Sequence, residues 1–168
     1  MRKWDKGVDY EYMYKKILKH LSNEKRDITR CYLAIALIQL RNGLRASESI
    51  RAFKHYLKHK QLEFEVLVSK KKKPETRFIV IPRELLNYEL VCYDLLESDD
   101  KVLTTRYKNW IRKYLKINSH SLRYSFITHA QKLGFPVPII AQMTKHSKLD
   151  FILSYTQEKE AREFLRNM

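Results

Sequence analysis

The stretch CYLAIALIQL, from Cys31 to Leu40, constrains this chain more than any other. It lies inside a helical pattern running from Ile28 to Arg41, and Arg30 and Arg41 flank it. Spanning a bilayer takes about 20 consecutive apolar residues, and this run is much shorter. A helix that is apolar on every side belongs in a core. The pattern therefore predicts a central helix on which the rest of the chain packs. NGLR (Asn42 to Arg45) follows, with Gly43 as the stop that lets the chain turn left-handed.

The flanking segments suit that role. Tyr10, Met13, Tyr14, Ile17, Leu18 and Leu21 recur at helical spacing. A further helix is predicted from near Ser47 to His59. Leu62 to Ser69 alternates and is rich in β-formers, and RFIVIP returns after the polar turn KKKKPET, which predicts a hairpin. Pro82 to Leu96 reads as a helix with proline in its first turn, and Val102 to Lys116 as another. From His120, the residues Leu122, Phe126, Ala130 and Leu133 form an apolar stripe. GFPVP (Gly134 to Pro138) is a turn, Ile139 to Met143 a short helix, and Phe151 to Tyr155 and Glu158 to Leu165 are closing helical segments. The expected fold is mainly α with a small antiparallel β-sheet. At 168 residues the chain is long enough to bury one core.

Charge narrows the partner. Thirty-four Lys and Arg face 19 Asp and Glu, a formal net charge of +15. Such an excess calls for a polyanion, most simply nucleic acid. An anionic membrane surface fits less well, because the basic residues are spread along the chain and form no single amphipathic helix. Cys31 and Cys92 show no CxxC spacing and sit in apolar runs. They are expected to be separate buried thiols in a reducing compartment. The N-terminus does not resemble a signal peptide, so the expected location is cytoplasmic.

Several groups suited to an anion come from separate segments: Arg45, the hairpin-tip lysines, His120, Arg123 and His146. Arginine presents a planar fork that matches phosphate oxygens. Histidine donates a hydrogen bond or exchanges a proton near neutral pH. His120 and Arg123 share a helix face, and Arg123 falls at the edge of the apolar stripe. A guanidinium there is costly unless paired, and its helix carries no acid within a turn. Its partner is expected to be a distant carboxylate or an external anion.

Three motifs carry a resemblance. GLRASE (Gly43 to Glu48), HSLRYSFITHA (His120 to Ala130) and KHSKLDFILSYT (Lys145 to Thr156) resemble, in order and spacing, the signature boxes of the tyrosine recombinase, or phage integrase, family. Tyr155 stands nine positions after His146, as in that pattern. Lys145 replaces the usual glycine of the third box, Thr144 a usual apolar residue, and Tyr124 a common second histidine. None of these changes removes a catalytic group. The resemblance implies the catalytic-domain fold of these DNA breaking-rejoining enzymes, including archaeal and viral integrases. The family's N-terminal core-binding domain is expected to be absent. Residues 1–168 would then form a single catalytic domain, with a tail helix over residues 157–168 carrying Phe164 and Leu165.

The resemblance also implies roles. Tyr155 would attack the scissile phosphate and form a 3′-phosphotyrosyl bond. Arg45 and Arg123 would clamp the non-bridging oxygens. His120 would assist proton transfer from the tyrosine, and His146 would donate to the phosphate. Lys73, or failing it Lys72, would protonate the leaving 5′ oxygen, and Glu48 would orient Arg45. His129 is expected to be structural. This chemistry needs neither a metal nor a nucleotide cofactor. The implied partner is double-stranded DNA, with dimers or tetramers assembling on it, in the nucleoid or in a virus's host cell. The nearest rivals are relaxation of DNA by a type IB topoisomerase mechanism and a DNA-binding module without catalysis. The second is disfavoured because every expected catalytic position is filled.

Overall fold

The computed structural model of the chain describes residues 8–68, 74–145 and 165–166. Helix α1 (Tyr10–Asn23) starts at Asp9, whose carboxylate accepts from the Tyr12 N–H at 2.8 Å. It buries one stripe, Met13, Ile17 and Leu21. Helix α2 (Asp27–Asn42) is buried along nearly its whole length, as its apolar run requires. Helices α3 (Ala46–His59), α5 (Asp100–Tyr114) and α6 (Ser119–Lys132) pack against it, together with α1. Gly43 ends α2 with φ 61°, and a Cβ there would collide with the Phe126 ring. Both facts demand glycine.

Strands β1 (Glu63–Leu67) and β2 (Thr76–Val80) pair antiparallel with Glu65 opposite Phe78. Phe64, Val66, Arg77 and Ile79 point inward, and Leu67 and Phe78 face out. A 3-10 turn (Arg83–Asn87), the short α4 (Tyr93–Glu97) and α5 follow. After α6, Pro136 leads into α7 (Val137–Thr144). A second, smaller apolar cluster of Phe126, Ile127, Ala130, Ile140 and Ala141 joins α6 to α7. The architecture is mainly α with a two-stranded antiparallel sheet, as expected. No described helix is long and apolar enough to cross a membrane.

Two buried amides hold the centre together. Gln39 donates to the Leu44 and Ser119 carbonyls at 3.1 and 2.9 Å and accepts from the Tyr107 hydroxyl at 2.7 Å. Asn42 pairs with both backbone groups of Val80, each at 2.9 Å, as a neighbouring strand would. The end of α2 is thereby locked to β2, to α5 and to the start of α6.

Two expectations fail. Pro82 to Leu96 does not form one helix, because residues 88–92 are non-helical between the 3-10 turn and α4. Tertiary contacts override local propensity there: the Tyr88 hydroxyl bonds Ser22, and Arg30 lies over the Tyr88 ring. Cys31 and Cys92, expected as separate thiols, are joined as a disulfide. Their Cα atoms lie 6.4 Å apart, within bridging range.

The bond closes a loop across a sequence separation of 61 residues. Restricting an unfolded chain over such a span stabilises the fold by about 4 kcal/mol in the chain-entropy description. Reduction, or Cys92→Ser, is expected to lower the melting temperature by roughly 10 °C, at about 2–4 °C per kcal/mol for a domain this size. Thermal melts with and without a thiol reductant check this. Equal melting temperatures, with both thiols titrated as free, would show that the bond contributes nothing.

Candidate active site

Four elements bring their ends together around two of the motif arginines. Arg45 caps the start of α3, and Glu48, three residues on, reaches back. The Glu48 carboxylate accepts from the Arg45 backbone N–H at 3.0 Å and from Arg45 Nη1 at 2.9 Å. One buried acid thus caps the helix and holds the guanidinium.

Arg123 comes from α6 and is 2% exposed. Two of its partners are backbone carbonyls, and the distant Glu48 carboxylate also favours its charged form. Nη1 donates to the Gly43 carbonyl at 2.6 Å and Nη2 to the Thr144 carbonyl at 2.7 Å. These carbonyls terminate α2 and α7, where backbone oxygens lack helical partners and the helix dipole is negative. The guanidinium therefore sits between two negative helix ends.

Arg77, from β2, completes the cluster. It donates to the Asn42 carbonyl at 2.5 Å, and at 3.4 Å both to Glu48 Oε2 and to the Thr144 carbonyl. Burial, reinforced by the Arg45 cation, pushes the Arg123 pKa down to about 9. Burial likewise takes Arg77 down to about 10, with Glu48 opposing the fall. Both stay charged at neutral pH. Three guanidiniums thus gather around Glu48, and an anion set among them would favour the charged forms.

His120 is exposed in the first turn of α6, with its N–H bonded to Asn118 at 3.1 Å, one turn ahead of Arg123. Lys145, where the third box usually has glycine, adopts the left-handed conformation with φ 54°. Its ammonium pairs with Glu75 at the base of the hairpin at 3.0 Å. The Thr144 hydroxyl, where an apolar residue is usual, bonds back to the Ile140 carbonyl at 2.7 Å and so is satisfied in full burial. His129 stacks on Tyr10 with ring centroids 4.1 Å apart. Tyr155, His146, Lys73, Lys72 and Phe164 lie outside the described residues; Leu165 is helical and exposed. No group of three or more His, Cys, Asp or Glu side chains converges among the described residues.

Sequence reasoning missed Arg77, Asn42 and the Thr144 carbonyl as parts of this cluster. A signal existed for Arg77. It shares the inward phase of Ile79 in an alternating strand, so a buried position was implied.

No protein-family model matches the chain. It is 38% identical over 168 residues to the "Putative integrase ORF241" of Acidianus two-tailed virus, covering 98% of this chain and 68% of that protein. It is 31% identical over 197 residues to an uncharacterised protein of Methanocaldococcus jannaschii, covering 98% of this chain and 88% of that one. In structure it is similar to the XerH site-specific recombinase bound to its difH substrate in a pre-cleavage complex. The TM-score there is 0.60 at 17% identity, over 94% of this chain. The chain spans about half of that recombinase, 52%. The chain belongs to the tyrosine recombinase/integrase family.

Proposed function

We propose that this chain is the catalytic domain of a site-specific DNA recombinase or integrase. It would cleave and rejoin strands through a 3′-phosphotyrosyl intermediate. The observation that carries this reading is the convergence of Arg45 and Arg123, from two separate motifs, on one buried framework. The guanidiniums are held before any substrate arrives. Charge builds on the non-bridging oxygens in the pentacoordinate transition state, and donors already in place need no reorganisation to stabilise it. Glu48 keeps Arg45 oriented, and His120 sits one turn from Arg123. In this reading Tyr155 is the nucleophile, His146 a phosphate donor, and Lys73 or Lys72 the acid for the leaving oxygen. The phosphotyrosyl bond conserves the phosphodiester's energy, so rejoining needs no outside energy source. Dimers or tetramers on double-stranded DNA are the assembly proposed.

The test is a pool of nicked duplexes with randomised sequence around the nick, in which the short cleaved fragment diffuses away and traps the intermediate. A covalent protein–DNA adduct on a denaturing gel is the expected result, and its absence across the pool would sink the proposal. Adduct formation is expected to survive chelators. Affinity for the recovered duplex is expected to fall steeply with salt. With about six phosphates neutralised, the loss between about 50 and 200 mM is about a thousandfold. A flat salt profile would contradict phosphate-led binding by a chain of charge +15.

A further inference from the structure

We propose that Arg77 is a positioning residue for strand cleavage, acting through Glu48 and the Thr144 carbonyl to set where Arg45 and Arg123 stand. The inference rests on the function proposed above and deepens it. Arg77 extends from β2 to three other elements: to Asn42 at the end of α2, to Glu48 in the first turn of α3, and to Thr144 at the end of α7. Two of these contacts are shared with the motif arginines. Glu48 also holds Arg45, and the Thr144 carbonyl also accepts from Arg123. A displacement of Arg77 is therefore passed to both guanidiniums through a single intermediate group each.

As a purely stabilising ion pair, Arg77 is badly built. Its contact with Glu48 is long, 3.4 Å, whereas Arg45 holds the same carboxylate at 2.9 Å. Its Nε is buried without a hydrogen-bond partner. Burial of the cation is costly enough to lower its pKa, and the neighbouring Arg45 adds to the cost. Buried ion pairs of this quality are often no better for stability than apolar side chains of similar volume. What the geometry does provide is a rigid link between the hairpin strand and the cluster, in a core where small shifts are transmitted.

The experiment uses the full chain and the nicked duplex recovered from the adduct pool. Arg77→Gln and Arg77→Lys are compared with the native chain for single-turnover cleavage rate, DNA affinity and melting temperature. Misplacing catalytic groups by about 1 Å costs about a hundredfold in rate. Arg77→Gln is expected to lose rate on that scale with its affinity nearly unchanged. Arg77→Lys, which keeps the charge but not the fork, should recover only part of the rate. Because Arg77 acts through Glu48, the double variant Arg77→Gln/Glu48→Gln should lose less than the product of the two single losses.

A native rate in a folded Arg77 variant would overturn the inference. So would rate and affinity falling together in proportion to the folded fraction. Should Arg77→Gln not fold, Arg77→Lys decides by the same two criteria. If the native chain itself forms no adduct, it is the proposed function that fails.

Discussion

Replacing Tyr155 with phenylalanine is expected to bring the covalent protein–DNA adduct down to background while leaving DNA affinity close to native. A phenol with a pKa near about 10 is a weak nucleophile at neutral pH. It needs neighbouring cations and a proton acceptor, which the cluster of arginines and His120 would supply. The substitution removes one oxygen and leaves that framework standing: Glu48 still holds Arg45, and the Gly43 and Thr144 carbonyls still hold Arg123. Binding and cleavage should therefore separate. Denaturing gels with the nicked-duplex pool give the adduct yield, and gel shifts give the affinity. An undiminished adduct would transfer the nucleophile's role to another of the chain's 11 tyrosines and break the nine-residue link from His146.

Arg45→Ala and Arg123→Ala are each expected to slow cleavage on the order of a hundredfold or more, as loss of an oxyanion donor does. Affinity should fall far less. Equal losses in rate and affinity would mark both as ordinary phosphate contacts. The two variants should differ in stability. Arg123→Ala strips the donor from the buried Gly43 carbonyl, a cost of about 1–3 kcal/mol for a group left unsatisfied, and leaves the Thr144 carbonyl to the longer bond from Arg77. Arg45→Ala takes the 2.9 Å guanidinium contact from the buried Glu48, which keeps the backbone N–H at position 45 and the longer contact to Arg77. Pairing Arg45→Ala with Glu48→Gln should restore melting temperature without restoring rate. Arg123→Lys should fold better than the alanine variant and still cleave poorly, because a point charge cannot bond two carbonyls and present a fork.

Helix periodicity found α1, α2, α3, α5 and α6 because each buries a continuous stripe, and Gly43 announced its own turn. Of the candidate site, spacing and resemblance single out Arg45, Glu48, His120 and Arg123, and the structure gathers Arg45, Glu48 and Arg123 into one cluster. What escaped was the set of contacts between segments distant in sequence. Arg123 was expected to need an acid or an external anion, since helix-terminal carbonyls are invisible as acceptors until the packing of α2 and α7 is known. Gln39 and Asn42 look like ordinary polar positions in a helix, yet Gln39 is buried where α2, α5 and α6 meet and Asn42 where α2 meets β2. The stretch 88–92 was misread because its helical propensity competes with contacts to Ser22 and Arg30. Cys92 offered no spacing that could name Cys31 as its partner.

Lys145 stands in a left-handed turn where glycine would cost nothing, and its ammonium reaches Glu75 beside the hairpin. A non-glycine residue in that conformation costs roughly 1–2 kcal/mol. The turn and the base of the hairpin are thus tied by one ion pair. A descendant with glycine at 145 loses the tether along with the strain, and the acid at 75 loses its contact with the lysine ammonium. A descendant that keeps lysine keeps a reason for the acid. Across an alignment of relatives, positions 75 and 145 should therefore drift as a pair: acid with lysine or arginine, neutral with glycine. Independent variation at the two positions would show that each was tuned on its own.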